Sequence, residues 1–263
     1  MQSSNPVLTR ADAFTRGGTG LAAEAAALEE AYRNPSYVPP RERARMTLDD
    51  VVSKTAMLFG VAAVTGAIAW ILDLGVAVAI AAAVVGLVLS IVNTMKRVVS
   101  PPLVLAYAAV EGIFLGVISH YLSDIYPGIV LQAVLGTASA FAVMLVLYRT
   151  GKVRVTPRFT KTLIGLAAGY LVFLVLNLVL TAFGGGFDLW HADGGSILLP
   201  LAISVFAVGL ASFFLILDFD QIEKGIKAGV PEQESWRAAF GLMVTLVWLY
   251  VEMLRIIAIL RGN

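Results

Sequence analysis

Apolar residues fall along this chain in seven blocks, roughly 53–72, 76–93, 102–122, 127–148, 161–183, 196–217 and 239–260, parted by polar or charged links. At about 1.5 Å of rise per residue, a helix of about 20 apolar residues spans a hydrocarbon core of ~30 Å. Strands of a membrane barrel would alternate apolar and polar residues every second position, and these blocks do not. The pattern predicts an all-α integral membrane protein, a seven-transmembrane-helix bundle. Short links such as Asp73–Gly75 make neighbouring helices antiparallel.

Composition strengthens that reading. Of 263 residues, 59% are hydrophobic and 14% charged, well below the ~25% charged residues of a soluble domain. Lys and Arg mark the cytoplasmic side. They collect before the first block (Arg41, Arg43, Arg45), between the second and third (Lys96, Arg97) and between the fourth and fifth (Arg149, Lys152, Arg154, Arg158, Lys161). The opposite links, near Asp73, Asp124 and Asp188–Asp193, carry none. The N-terminus is therefore expected in the cytoplasm and the C-terminus outside, with Arg261 on the unexpected face.

Residues 1–52 are expected to form a cytoplasmic N-terminal extension, partly disordered, and 53–263 the seven-helix transmembrane domain. The extension mixes acids and bases without an apolar core, unlike a signal peptide. Within it Leu21–Tyr32 has helix-forming composition, and Thr47 with Asp50 three residues on has the spacing of a helix cap. Gly112/Gly116 and Gly165/Gly169 have the small-xxx-small spacing of close helix packing.

A net charge of +1 implies no nucleic-acid partner, and the absence of cysteine excludes disulfides, thiolate metal sites and cysteine nucleophiles. No phosphate-binding G-x-x-x-x-G-K-[ST] loop occurs, so any transport is expected to be passive. No cofactor is expected. Arg and Ala richness without an organelle signal suggests a bacterial plasma membrane.

Candidate chemistry rests on three acids inside apolar blocks: Glu111, Asp218 and Glu252. A carboxylate at membrane depth is costly and is retained where it finds a partner, a proton, an ion or water. Asp218, with Asp220, is either a solvated helix end or a site. Glu252 is either a site or one half of an i,i+3 ion pair with Arg255, and Glu111 either a site or a hydrogen-bonding link to a neighbouring helix. Acids without deep bases in the first six blocks favour cations or protons over anions. Calcium prefers carboxylate and carbonyl oxygens, and carboxylates held close together share a proton. His120 and His191 lack a second ligand within sequence reach.

The stretches VEGIFLGVISHYLS (Val110–Ser123), LDFDQI (Leu217–Ile222) and LYVE (Leu249–Glu252) resemble the Bax-inhibitor family, also called the transmembrane BAX-inhibitor-motif family, over roughly residues 50–260. The resemblance implies a seven-helix fold with a central last helix, and a pH-sensitive calcium leak channel of the bacterial type. It matches Asp218 to the first acid of the family's paired-carboxylate pH sensor and Glu252, in place of the usual aspartate, to the second. Those two residues would then be the contacts for calcium, the transported ion, and for protons. Lys96, with Arg97 beside it, takes the place of a latching arginine, giving a point charge where the relatives have a planar fork. The acid that relatives carry in the second helix is missing, and Glu111 is a possible substitute.

Counting from a turn near Gly229–Pro231, Asp218 and Glu252 are out of register by roughly 15 Å for straight helices. Contact between them requires residues 232–238 to lie along the membrane surface. Three other classes stay open. One is a proton-coupled transporter, another a non-conducting regulator of membrane proteins, and the third an intramembrane acid-pair hydrolase, disfavoured because Asp218 lacks a glycine-flanked setting and is paired with glutamate.

Overall fold

A computed structural model describes residues 44–185 and 197–262. The expected helix at 21–32, the rest of the extension to residue 43, and the 188–193 link with His191 lie outside them. Among the described residues seven helices are long and apolar enough to cross a membrane. They are α1 (Leu48–Ile71), α2 (Val76–Met95), α3 (Pro101–Ile125), α4 (Ile129–Arg149), α5 (Pro157–Ala182), α6 (Leu198–Ala228) and α7 (Ser235–Arg261). They belong to one compact unit, Arg45–Asn263.

Local chemistry sets the helix ends. The Thr47 hydroxyl accepts the Asp50 N–H while the Asp50 carboxylate accepts the Thr47 N–H at 3.0 Å, a complete capping box. Prolines open α3 and α5, where a missing N–H costs nothing. α6 stops at Gly229, whose φ of 64° suits glycine, and Val230 N–H returns to the Gly225 carbonyl at 3.2 Å in a Schellman turn.

Both helices of this last hairpin run further toward their shared turn than their apolar blocks. α6 continues eleven residues past Leu217 to Ala228, and α7 begins at Ser235, four before Ala239. Hydropathy marks where lipid ends, whereas the helix continues through DFDQIEKGIKA because Asp220–Lys224 and Glu223–Lys227 pair at i,i+4. A single 3₁₀ turn, Glu232–Glu234, leads directly into α7. Residues 232–238 therefore do not form the surface segment that contact between Asp218 and Glu252 requires. α1 likewise starts at Leu48, five residues before the expected boundary.

The last helix is the most buried, packing on α1, α3, α4 and α6. The peripheral α5 packs mainly on α6. α1 and α3 cross most closely at glycines: a Cβ on Gly66 would stand 2.9 Å from the Gly112 carbonyl, and one on Gly116 would run into the Gly66 backbone. Arg261, expected to be out of place, donates to the Pro127 carbonyl at 2.7 Å and so caps the α3–α4 turn.

Candidate functional site

Asp218 lies ten residues before the end of α6 at Ala228, and Thr245 ten residues after the start of α7 at Ser235. Equal counts place them at one height about 15 Å from the turn, and the Thr245 hydroxyl donates to Asp218 Oδ2 at 2.7 Å. Below them the two helices part around a cavity of about 200 Å³. Its walls are the helical stripes Asp218, Gln221, Ile222, Gly225 on one side and Glu234, Arg237, Ala238, Gly241 on the other, with Met46 and Val230 toward the turn. This is a vestibule that leads from the α6–α7 turn to the Asp218 carboxylate.

The charged residues sharing the vestibule with Asp218 are Glu234 and Arg237. Arg237 Nε donates to Glu234 Oε2 at 2.7 Å, and its Nη2 donates to the main-chain carbonyls of Lys96 at 3.2 Å and Arg97 at 2.9 Å. The α2–α3 link is thus tied to the vestibule wall through its backbone. No ion pair joins Asp218 to Lys96, to Arg97 or to any other base among the described residues.

Glu252 lies seven residues beyond Thr245, about 10 Å further along α7, and shares neither a hydrogen bond nor a partner with Asp218. It is bound instead into a buried network. Arg255 Nη2 meets Glu252 Oε2 at 2.5 Å, with the two residues 5% and 4% exposed. The Tyr170 hydroxyl of α5 donates to Glu252 Oε1 at 2.8 Å and accepts from Arg255 Nη2 at 3.1 Å. Trp248 Nε1 donates to Glu252 Oε1 at 3.2 Å, and Arg255 Nε to the Ser204 hydroxyl of α6 at 2.8 Å. The two opposite charges offset one another, and polar groups from α5 and α6 bond Glu252 Oε1 and the Arg255 guanidinium, leaving Glu252 Oε2 to its ion-pair contact alone. Such a cluster fixes helices together at membrane depth.

Glu111 occupies a third, separate place. It projects from α3 toward α2, where Gly86 leaves room: a Cβ there would stand 3.1 Å from Glu111 Oε1. The Tyr107 side chain, one turn earlier on α3, lies beside it. The three acids therefore do not converge, and among the described residues no group of three His, Asp or Glu side chains is placed to hold a metal ion. His120 stands between Asp73, 3.3 Å from Nδ1, and Asp124, 3.8 Å from Nε2, with its ring tilted 39° against Trp70. The two acids face opposite edges of its ring, so one ion cannot touch all three.

Sequence reasoning missed Thr245, Arg237, Tyr170 and Ser204. The first follows only once α7 is known to start at Ser235, since equal counts from Ala228 and from Ser235 bring Thr245 opposite Asp218. Nothing in the sequence marks Tyr170 or Ser204 as partners of Arg255, because that contact depends on how three helices pack.

No curated protein matches the sequence closely enough to count as a relative. A sequence-family model described as Bax inhibitor 1 like does match. Its match runs over residues 5–262, and the chain belongs to that Bax inhibitor 1 like family.

Proposed function

We propose that this chain is a passive cation leak with calcium as its cargo, and that its response to pH comes from Asp218. One observation carries the reading: the Asp218 carboxylate closes the inner end of a vestibule that runs toward the α6–α7 turn, held by the Thr245 hydroxyl without a paired base among the described residues. An ionised carboxylate in that position attracts a hydrated cation and keeps α6 bonded to α7. Protonation removes the charge and weakens the Thr245 bond, so acidification loosens the hairpin and raises flux. The membrane we assign is the bacterial plasma membrane, on composition. Glu252, whose charge Arg255 already neutralises, is a positioning group for α7 in this reading and not a second sensor.

Reconstitution in calcium-dye liposomes tests it. Flux should rise as the bath moves from about pH 8 to about pH 5, and Asp218→Asn should flatten the response. A wild-type protein without flux at any pH, or an Asp218→Asn variant that still titrates, would sink the proposal.

A further inference from the structure

We propose that Met46 is the lid of this vestibule: the short strap Arg45–Thr47, seated on the α6–α7 turn, closes the cytoplasmic approach to Asp218 and must lift for the leak to conduct. The inference deepens the reading above and rests on it for its functional meaning.

Met46 stands between the exposed Arg45 and Thr47, outside the apolar blocks, yet is only 4% exposed. Its side chain fills the mouth of the vestibule, packed where α6 offers Gly225: a Cβ on that glycine would stand 3.5 Å from Met46 Cε and 3.7 Å from Sδ. Gly225 is two helical turns, about 10 Å, on the cytoplasmic side of Asp218. The lid therefore covers the entrance and leaves the acid itself untouched.

The strap is held lightly. Met46 N–H donates to the Val230 carbonyl at 2.9 Å, and Arg45 forms an isolated antiparallel bridge with Pro231. Proline has no N–H to give, so the ladder cannot extend. The Arg45 side chain lies over Gly229, its Cδ 3.5 Å from where a Cβ would be. Behind the strap α1 is anchored independently: Lys54 Nζ donates to Ser235 Oγ at 2.6 Å and pairs with Glu232 at 3.2 Å. With the capping box at Thr47 fixing the start of the helix, Arg45 and Met46 can swing away while α1 stays in place.

The chain lacks cysteine, so a Thr245→Cys reporter places one thiol at the inner end of the vestibule. The rate at which a charged methanethiosulfonate labels it from the cytoplasmic side reads access directly. Losing most of a buried methionine's apolar contact in Met46→Ala should raise that rate on the order of tenfold or more. Met46→Leu should stay near the parent. Met46→Gln, nearly isosteric, should be faster than the parent and carries the same test if the alanine variant fails to fold. With Thr245 intact, calcium flux of the Met46 variants should rise in the same order. Equal labelling rates across the Met46 series would overturn the lid whatever the flux. Faster labelling in variants and parent that conduct nothing would leave the lid standing and remove the leak.

Discussion

Thr245 donates its hydroxyl to Asp218 Oδ2 at 2.7 Å across the α6–α7 hairpin, whereas Glu252, which the family resemblance expects as the second acid, is bound elsewhere. A hydroxyl there supports one ionised carboxylate without repelling it. A double-mutant cycle of Asp218→Asn and Thr245→Val, read by thermal unfolding, should give a coupling of about 1–3 kcal/mol. The coupling should be larger at pH 8 than at pH 5, because a bond to a charged acceptor is the stronger one. Additive effects at both pH values would mean that the contact does not join the helices.

The Glu252 network makes the opposite kind of prediction. Removing one member of a buried ion pair strands the other, at a cost of about 3–5 kcal/mol, whereas replacing both by apolar residues is far milder. Glu252→Gln and Arg255→Met should each lower the unfolding temperature sharply, and the double Glu252→Leu, Arg255→Leu variant should recover much of the loss. Tyr170→Phe should free α5, seen as faster hydrogen exchange in that helix alone. A change of flux in Glu252→Gln would then track lost stability, whereas Asp218→Asn should alter the pH response in a protein that still unfolds normally.

Much of the fold is legible from hydropathy because lipid tolerates little besides closed helices, so seven apolar blocks leave few alternatives. The site is less so. Asp218 could be named as a candidate because its neighbours are apolar, but its partner depends on where α7 starts. That start is set by Pro231 and a polar 3₁₀ turn, in a stretch where the apolar pattern has already ended. The ion pair Glu252–Arg255 was visible as an i,i+3 spacing. Its burial, and the reach of Tyr170 and Ser204 into it, follow from tertiary packing that no local pattern encodes.

Two glycine pairs with the same spacing separate packing from permissive space. At Gly112 and Gly116 an added methyl group meets α1 backbone, whereas at Gly165 and Gly169 nothing lies within 4 Å. Gly116→Ala should therefore destabilise by several kcal/mol or prevent folding, as overpacking against rigid backbone does. Gly165→Ala should be neutral or stabilise by up to about 1 kcal/mol through helix propensity. Thermal unfolding of both variants in one lipid mixture checks this, and equal effects would refute the close α1–α3 crossing.

Arg237, and not the neighbouring link bases, should govern how the α2–α3 connection bears on the vestibule. Lys96 and Arg97 meet it through main-chain carbonyls, which Lys96→Ala and Arg97→Ala leave in place, so each should shift stability by less than about 0.5 kcal/mol, as surface substitutions do. Arg237→Ala removes the donor to both carbonyls and frees Glu234, adding an unpaired negative charge beside Asp218. That variant should lose about 1–3 kcal/mol and bring cations to the vestibule more readily, raising flux at neutral pH. Arg237→Lys restores the positive charge but lacks the planar fork that reaches Glu234 and two carbonyls together. It should therefore rescue the flux at neutral pH better than the stability. If Lys96→Ala or Arg97→Ala flattened the pH response while Arg237→Ala did not, the side chains of the link would be the latch after all, reaching Asp218 in a conformation other than the one described.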